Sequence, residues 1–296
     1  MTRTISLQPR AASRFAGVAP RARAERVADD KAMLRTAAEL TRDLNAPRPA
    51  IYWGDLLASV AVGYGALAAA ILVEPLGWAV VAAVISVLAL YRAGSFIHEI
   101  SHIKHAALPG FRSGWNAVVG VPLMVPSFMY EGVHNLHHAK TRYGTVEDPE
   151  YLPLALMKPW TVPVFVLVAA LAPIGLLIRY AVLTPLSFVV PGLRRFVVER
   201  LSALAINPQF RRRAPEGEAK AEWTRVEIAT SLWAITMLTA VATGAVPLRA
   251  FAIFLGVVSA VTVINQVRTL VAHLWENEGE AMSVKIGRAS CRERVC

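Results

Sequence analysis

Residues 78–102 read WAVVAAVISVLALYRAGSFIHEISH. The stretch opens as an uncharged apolar run, Trp78–Tyr91. It closes on His98-Glu99-Ile100-Ser101-His102, which places two imidazoles and a carboxylate within five positions. Leu56–Val73 is a second apolar run just before it, and Glu74-Pro75-Leu76-Gly77 supplies a turn between them. Crossing ~30 Å of hydrocarbon takes roughly 20 apolar residues. The two runs therefore read as a membrane-spanning helical hairpin that delivers histidines to one end.

The whole chain agrees with that reading. Of its 296 residues 55% are hydrophobic, and the mean hydropathy of +0.45 is too high for an ordinary soluble domain. The net charge is +10. In a polytopic protein this excess first marks cytoplasmic loops. No basic segment is interleaved with aromatics, which argues against a nucleic-acid partner.

Further along, Ala106–Tyr130 is apolar but interrupted by Pro109, Gly110, Gly114, Gly120, Pro122 and Pro126. Short helices at the interface, or dipping into the membrane, are expected there. His134-Asn135-Leu136-His137-His138 follows, then the polar loop Tyr143–Tyr151. Pro159–Val190 is long and apolar, punctuated by Pro163, Pro173 and Pro185. Residues 193–227 are strongly charged around Arg211-Arg212-Arg213. Ile228–Val246 and Leu248–Leu274 form a second apolar hairpin, with His273 near its end. The fold class expected is all-α: a polytopic membrane protein of about four transmembrane helices in two hairpins, with interfacial helices.

The chain ends are expected to stand apart. Residues 1–48 form an arginine-rich cytoplasmic arm, with a short amphipathic helix after Asp29-Asp30 carrying Met33, Leu34, Ala37 and Leu40 on one face. No apolar signal-peptide core precedes Ile51. After Val284 the character changes abruptly. Residues 286–296, IGRASCRERVC, match the translation of a short-read sequencing adapter, which makes 285–296 an expected artefact. Both cysteines, Cys291 and Cys296, fall inside it, leaving no disulfide in the natural part.

Orientation follows from charge. The basic arm and the basic 193–227 segment both belong on the cytoplasmic side. An odd number of crossings in 159–191 would break that rule. An interfacial or re-entrant segment is expected there, or two short crossings broken at Pro173. Both histidine clusters and His273 then share the cytoplasmic face.

Neutral imidazole is the commonest transition-metal side-chain ligand. His98 and His102, four apart, share a helix face, as do His134 and His138. His137 and His138 diverge, which suits either two metal ions or one ligand beside a donor that only supports the site. Histidines are costly near lipid, so this concentration points to function. The candidate metal ligands are His98, His102, His134, His137, His138 and His273. His105, beside Lys104, reads as an ordinary interfacial residue. Glu99, Glu147, Asp148 and Glu150 are candidates to orient imidazole N–H groups, with plain loop solvation equally open for the last three. Asn265 and Gln266 fit either a water-holding or a helix-gluing role.

HEISH, then HNLHH after a Pro/Gly-broken apolar stretch, resembles the HxxxH and HxxHH histidine boxes of membrane fatty acid desaturases. YGTVEDPEY after the second box strengthens the likeness, which covers roughly Ile51 to Met282. It implies a membrane desaturase-like domain over 49–284 with four spans, interfacial helices and a cytoplasmic cap. It implies a di-iron centre, with O2 as co-substrate and a ferredoxin-like or cytochrome b5-like electron donor. His98, His102, His134, His137 and His138 map onto box ligands, and His273 fits the additional ligand on the last span. The expected activity is desaturation of a fatty acyl chain; hydroxylation or ketolation uses the same metal chemistry. The family's third box, another HxxHH after the last span, is absent, and the adapter-like tail begins where it belongs.

Two other classes compete. HEISH also satisfies the H-E-x-x-H motif of zinc proteases, but that leaves HNLHH unexplained. A metal transporter would favour acids and ligands at mid-membrane, and the expected spans are nearly free of acids.

Overall fold

The computed structural model describes residues 31–41, 46–139, 141–273 and 275–279. The expected adapter-derived tail, the two cysteines and most of the N-terminal arm lie outside them. Among the described residues every regular element is helical. In chain order these are α1 (Lys31–Leu40), α2 (Pro49–Leu72), α3 (Leu76–His102), α4 (Phe111–Trp115), α5 (His134–His137), α6 (Thr161–Ile178), α7 (Thr184–Ser187), α8 (Pro191–Leu201), α9 (Gly217–Ala242) and α10 (Leu248–Ala272).

Pro49 opens α2, where its missing N–H costs nothing. The chain reverses through Val73–Pro75 and returns as α3. The two helices pack along their length around Leu56, Leu67, Val87 and Leu90. Gly63 makes that approach possible: a Cβ there would meet Leu90 Cδ2 at 2.6 Å. Their outer faces stay apolar and open, with Leu72 and Leu76 each 77% exposed, as lipid contact requires. Residues 106–130 dip back between the helices. Tyr64, roughly 20 Å along α2 at 1.5 Å per residue, donates its hydroxyl to Val118 O at 2.9 Å. Phe111, Trp115, Val119 and Leu123 complete this core with Val257 and Val258 of α10.

Among the described residues five helical stretches are long and apolar enough to cross a membrane, beside the expected number of about four. The additional one is Thr161–Ser187, formed by α6, a π-helical turn at Arg179–Leu183, and α7. Pro173 does not break it. A proline at this position frees the carbonyl of Ala169 from its helical bond. Thr262 of α10 donates its hydroxyl to that oxygen at 2.7 Å, and Ser259 donates to Ala170 O at 2.8 Å. Neighbouring hydroxyls thus restore what the proline removes.

Both flanks of this rod meet the same loop region. Before it, Ala155 N donates to Trp275 O at 3.1 Å, beside His273. At its far end, Arg179 donates to Leu201 O and Ser202. The chain then bonds on either side of the second histidine segment: Leu204 N donates to Met129 O before it, and Ile206 N and Asn207 N donate to Pro149 O after it.

Candidate metal centre

The C-terminal end of α3 supplies His98 and His102. α5 and the residue after it supply His134, His137 and His138. His273 immediately follows α10. These segments meet at one end of the bundle. The ring centroids of His98 and His102 are 4.6 Å apart, and both rings lie within 5.0 Å of His134. His138 is 4.4 Å from His134 and 5.0 Å from His102. His98, His102, His134 and His138 thus form one group of converging donors.

His137 points the other way. Its ring lies 5.5 Å from that of His273, and with Glu150 these two form a second group. Within each group the ligand atoms lie no more than 4.8 Å apart. The helical turn sorts the residues: positions four apart share a face, and position 137 falls on another.

Carboxylates fix the rings. Asp148 faces Nδ1 of His137 with both oxygens, at 2.9 and 3.0 Å. It is itself held by the backbone N–H groups of Gly144 and Glu150. Glu150 Oε1 accepts from His134 Nδ1 at 2.7 Å, and its Oε2 lies 2.9 Å from His273 Nε2. Thr269 O lies 3.0 Å from Nδ1 of His273. Glu99 is a looser partner. It sits 3.4 Å from Nδ1 of His98 and accepts from the Tyr52 hydroxyl at 3.1 Å. Tyr130 stacks on His134, and Tyr143 leans on His137.

The site is dry at its centre: His134 and His137 are at most 2% exposed. Burial, with the nearby charges of His134, His137 and His102, pushes His138 down to about 3, so its imidazole is neutral at pH 7. Burial pushes Glu150 up. The charge of His137 and hydrogen bonds from His134 and His273 outweigh it and hold the carboxyl well below the usual range.

This arrangement fits a bound cation. Both nitrogens of His273 face oxygens, Nδ1 the Thr269 carbonyl and Nε2 the buried Glu150 carboxylate, so the ring and the carboxylate converge with His137 in one group of donors. His134 gives its Nδ1 proton to Glu150, so its Nε2 presents a lone pair toward His138 Nε2, 2.8 Å away. Orienting one ring nitrogen with an acceptor and freeing the other is the usual construction of a histidine metal site.

The other singled-out residues fall outside both groups. His105 pairs with Glu131 at the surface, at 3.2 Å. Glu147 and Asn265 are exposed. Trp115 is buried and donates to Ala93 O. The sequence could not decide whether Asp148 and Glu150 were solvated or structural; folding turns both inward onto imidazoles.

A family model described as fatty acid desaturase matches residues 76–292, and the chain belongs to that family. The ceramide hydroxylase of Caulobacter vibrioides (strain NA1000 / CB15N) is 47% identical over 260 residues, covering 88% of this chain and 74% of that protein. No solved structure matches the chain. The protein is thus an integral membrane oxidoreductase that attacks lipid C–H bonds. Membership removes the zinc-protease and transporter alternatives. The HEISH pair converges with His134 and His138 instead of standing alone.

Proposed function

We propose that this protein hydroxylates a ceramide-like lipid, using O2 and electrons from a ferredoxin-like or cytochrome b5-like donor, at a di-iron centre on the cytoplasmic side of the membrane. The observation that carries the reading is the splitting of adjacent His137 and His138 into two donor groups, one of four residues and one of three. His98, His102, His134 and His138 would hold one ion; His137 and His273 belong to the other. Mixed imidazole and carboxylate donors suit iron. An iron pair, when bound, supplies the redox chemistry that lets O2 attack an unactivated C–H bond.

The chain's own residues do the positioning. Asp148 holds His137, Glu150 holds His134, and the Thr269 carbonyl holds His273, so the donor nitrogens face inward before any metal arrives. His134 and His137 lie buried at the centre of the two groups, with His102 exposed at the rim. Between desaturation and hydroxylation, the named activity of the Caulobacter relative favours hydroxylation. The cytoplasmic placement rests on the basic 193–227 segment, whose residues 204–212 bond to residues flanking the second histidine segment. On this reading the Thr161–Ser187 rod does not complete a crossing of the membrane.

Expression in a ceramide-producing host with lipid profiling, beside a His137→Ala control, tests the activity. The expected result is a ceramide heavier by one oxygen that is missing from the control. A lipid lighter by two hydrogens would establish desaturation instead. No new lipid from folded, iron-loaded protein would sink the proposal.

A further inference from the structure

We propose that the arginine-rich surface around Arg200, Arg211 and Arg213 is where an acidic one-electron carrier protein docks to feed the metal centre. The inference rests on the function proposed above and names the face its electron donor uses. Arg200 and Arg213 are exposed, and Arg211 is half-buried. Arg212 N donates to Glu199 O at 3.0 Å, which sets the end of α8, with Arg200, beside residues 211–213. Two carbonyls pin Arg211: its Nη1 donates to Pro208 O at 2.9 Å and to Phe210 O at 2.6 Å. Most acids of the 193–227 segment are engaged. Glu199 pairs with Arg195, Glu222 with Arg112, and Glu227 with Arg179 and Arg194. Glu216 and Glu218 are exposed, and five cations without a carboxylate partner among the described residues outnumber them: Arg200, Arg211, Arg213, Lys220 and Arg225. A surplus of one sign on an exposed face selects a partner of the other sign.

This face is bonded to the supports of the metal centre. Asn207 Nδ2 donates to Val146 O and to Asp148 O, both at 2.9 Å, and Ile206 N and Asn207 N donate to Pro149 O. Pro149 sits between Asp148 and Glu150, whose carboxylates meet His137, His134 and His273. Arg212 donates to Phe128 O, to Ser202 O and to Glu131 O, and Glu131 is three positions before His134. An electron arriving at the exposed Pro208 or Gln209 therefore has a route of covalent and hydrogen bonds to the imidazoles. Hydroxylation balances as R–H + O2 + 2 e− + 2 H+ → R–OH + H2O. A ferredoxin-like or cytochrome b5-like carrier is oxidised by one electron per visit, so each turnover takes two visits and each oxidised carrier must leave. A small interface steered by charge meets that demand better than a large apolar one.

The test is carrier binding. The full 296-residue chain, in nanodiscs containing anionic lipid, is titrated with a plant-type [2Fe–2S] ferredoxin and, separately, with the soluble haem domain of a cytochrome b5. Binding is followed by interferometry. Wild type is expected to bind at least one of the two at low ionic strength and to release it as salt rises. Arg200→Glu and Arg213→Glu should each weaken that binding roughly tenfold. Arg249→Glu makes the same change of charge at an exposed position in the first turn of α10 and should leave it unaltered. Equal binding by all four chains would return the arginines to lipid phosphates and overturn the proposal. Failure of wild type to bind either carrier would overturn it as well. If a charge reversal does not accumulate folded, Arg213→Gln replaces it, with a smaller loss expected and no loss overturning the proposal. Lipid profiling keeps the two readings apart. Wild type that binds a carrier through this face yet oxidises no lipid leaves the surface standing and sinks the proposed function. Wild type that oxidises lipid with dithionite but binds neither carrier does the reverse.

Discussion

Both carboxylate oxygens of Asp148 lie within hydrogen-bond reach of Nδ1 of His137, at 2.9 and 3.0 Å, and both residues are buried. Outer partners of this kind typically contribute 10–100-fold to metal affinity. Asp148→Asn should weaken Co2+ binding at the His137 and His273 group by roughly 10–100-fold. Competition against a chelator checks it; unchanged affinity would refute the orienting role.

Glu99 should matter less. Its contact with His98 is longer, 3.4 Å, and its side chain is 43% exposed. Glu99→Gln is expected to reduce affinity at the four-histidine group by less than Asp148→Asn reduces it at the other. Lipid oxidation should survive Glu99→Gln, whereas a protease using Glu99 as general base would lose turnover altogether. Product formation measured beside wild type separates the two.

Thr262 is expected to be a stability residue. Thr262→Val keeps the shape but removes the donor to Ala169 O, the carbonyl freed by Pro173. Polar helix–helix bonds in membranes are worth about 0.6 kcal/mol on average and up to about 1.7 kcal/mol. A loss in that range should appear in detergent unfolding curves. Combining Thr262→Val with Pro173→Ala should recover most of it, because alanine restores the helical N–H.

A larger effect is expected at Glu227. It is fully buried between Arg179 at 2.9 Å and Arg194 at 2.7 Å, and Arg179 also ties down Ser202 and Thr184. Removing one partner of a buried ion pair costs about 3–5 kcal/mol. Glu227→Ala should therefore lower the yield of folded protein sharply, read by size-exclusion profile. A near-neutral outcome would show that the arginines reach water.

Orientation can be read by labelling. In a background lacking Cys291 and Cys296, cysteines replacing the exposed residues Glu74 and Ala245 should react with an impermeant maleimide on intact cells. Cysteines replacing Glu147 and Gln209 should react only after the cells are opened. Reaction of position 209 from outside would show that Thr161–Ser187 crosses the membrane completely.

The first hairpin was legible because hydropathy alone writes it: two long uncharged runs joined by Glu74-Pro75. The grouping of His98 with His102 follows from helical spacing. Other features depend on distant partners. The continuity of the helix through Pro173 requires a hydroxyl 93 positions away. The inward turn of Asp148 and Glu150 requires imidazoles from α5 and from the end of α10. A local sequence window holds neither partner, so solvated loop and buried strut look alike in it.

His273 follows the last residue of α10, a 25-residue helix rising directly from Pro247. A donor at the tip of a rigid rod inherits the rod's inclination. Bilayers of different thickness incline such rods differently. With His273 as a donor, a change in bilayer thickness is expected to shift its ring relative to His137, so that lipids with longer or shorter tails tune the rate without touching the reacting atoms.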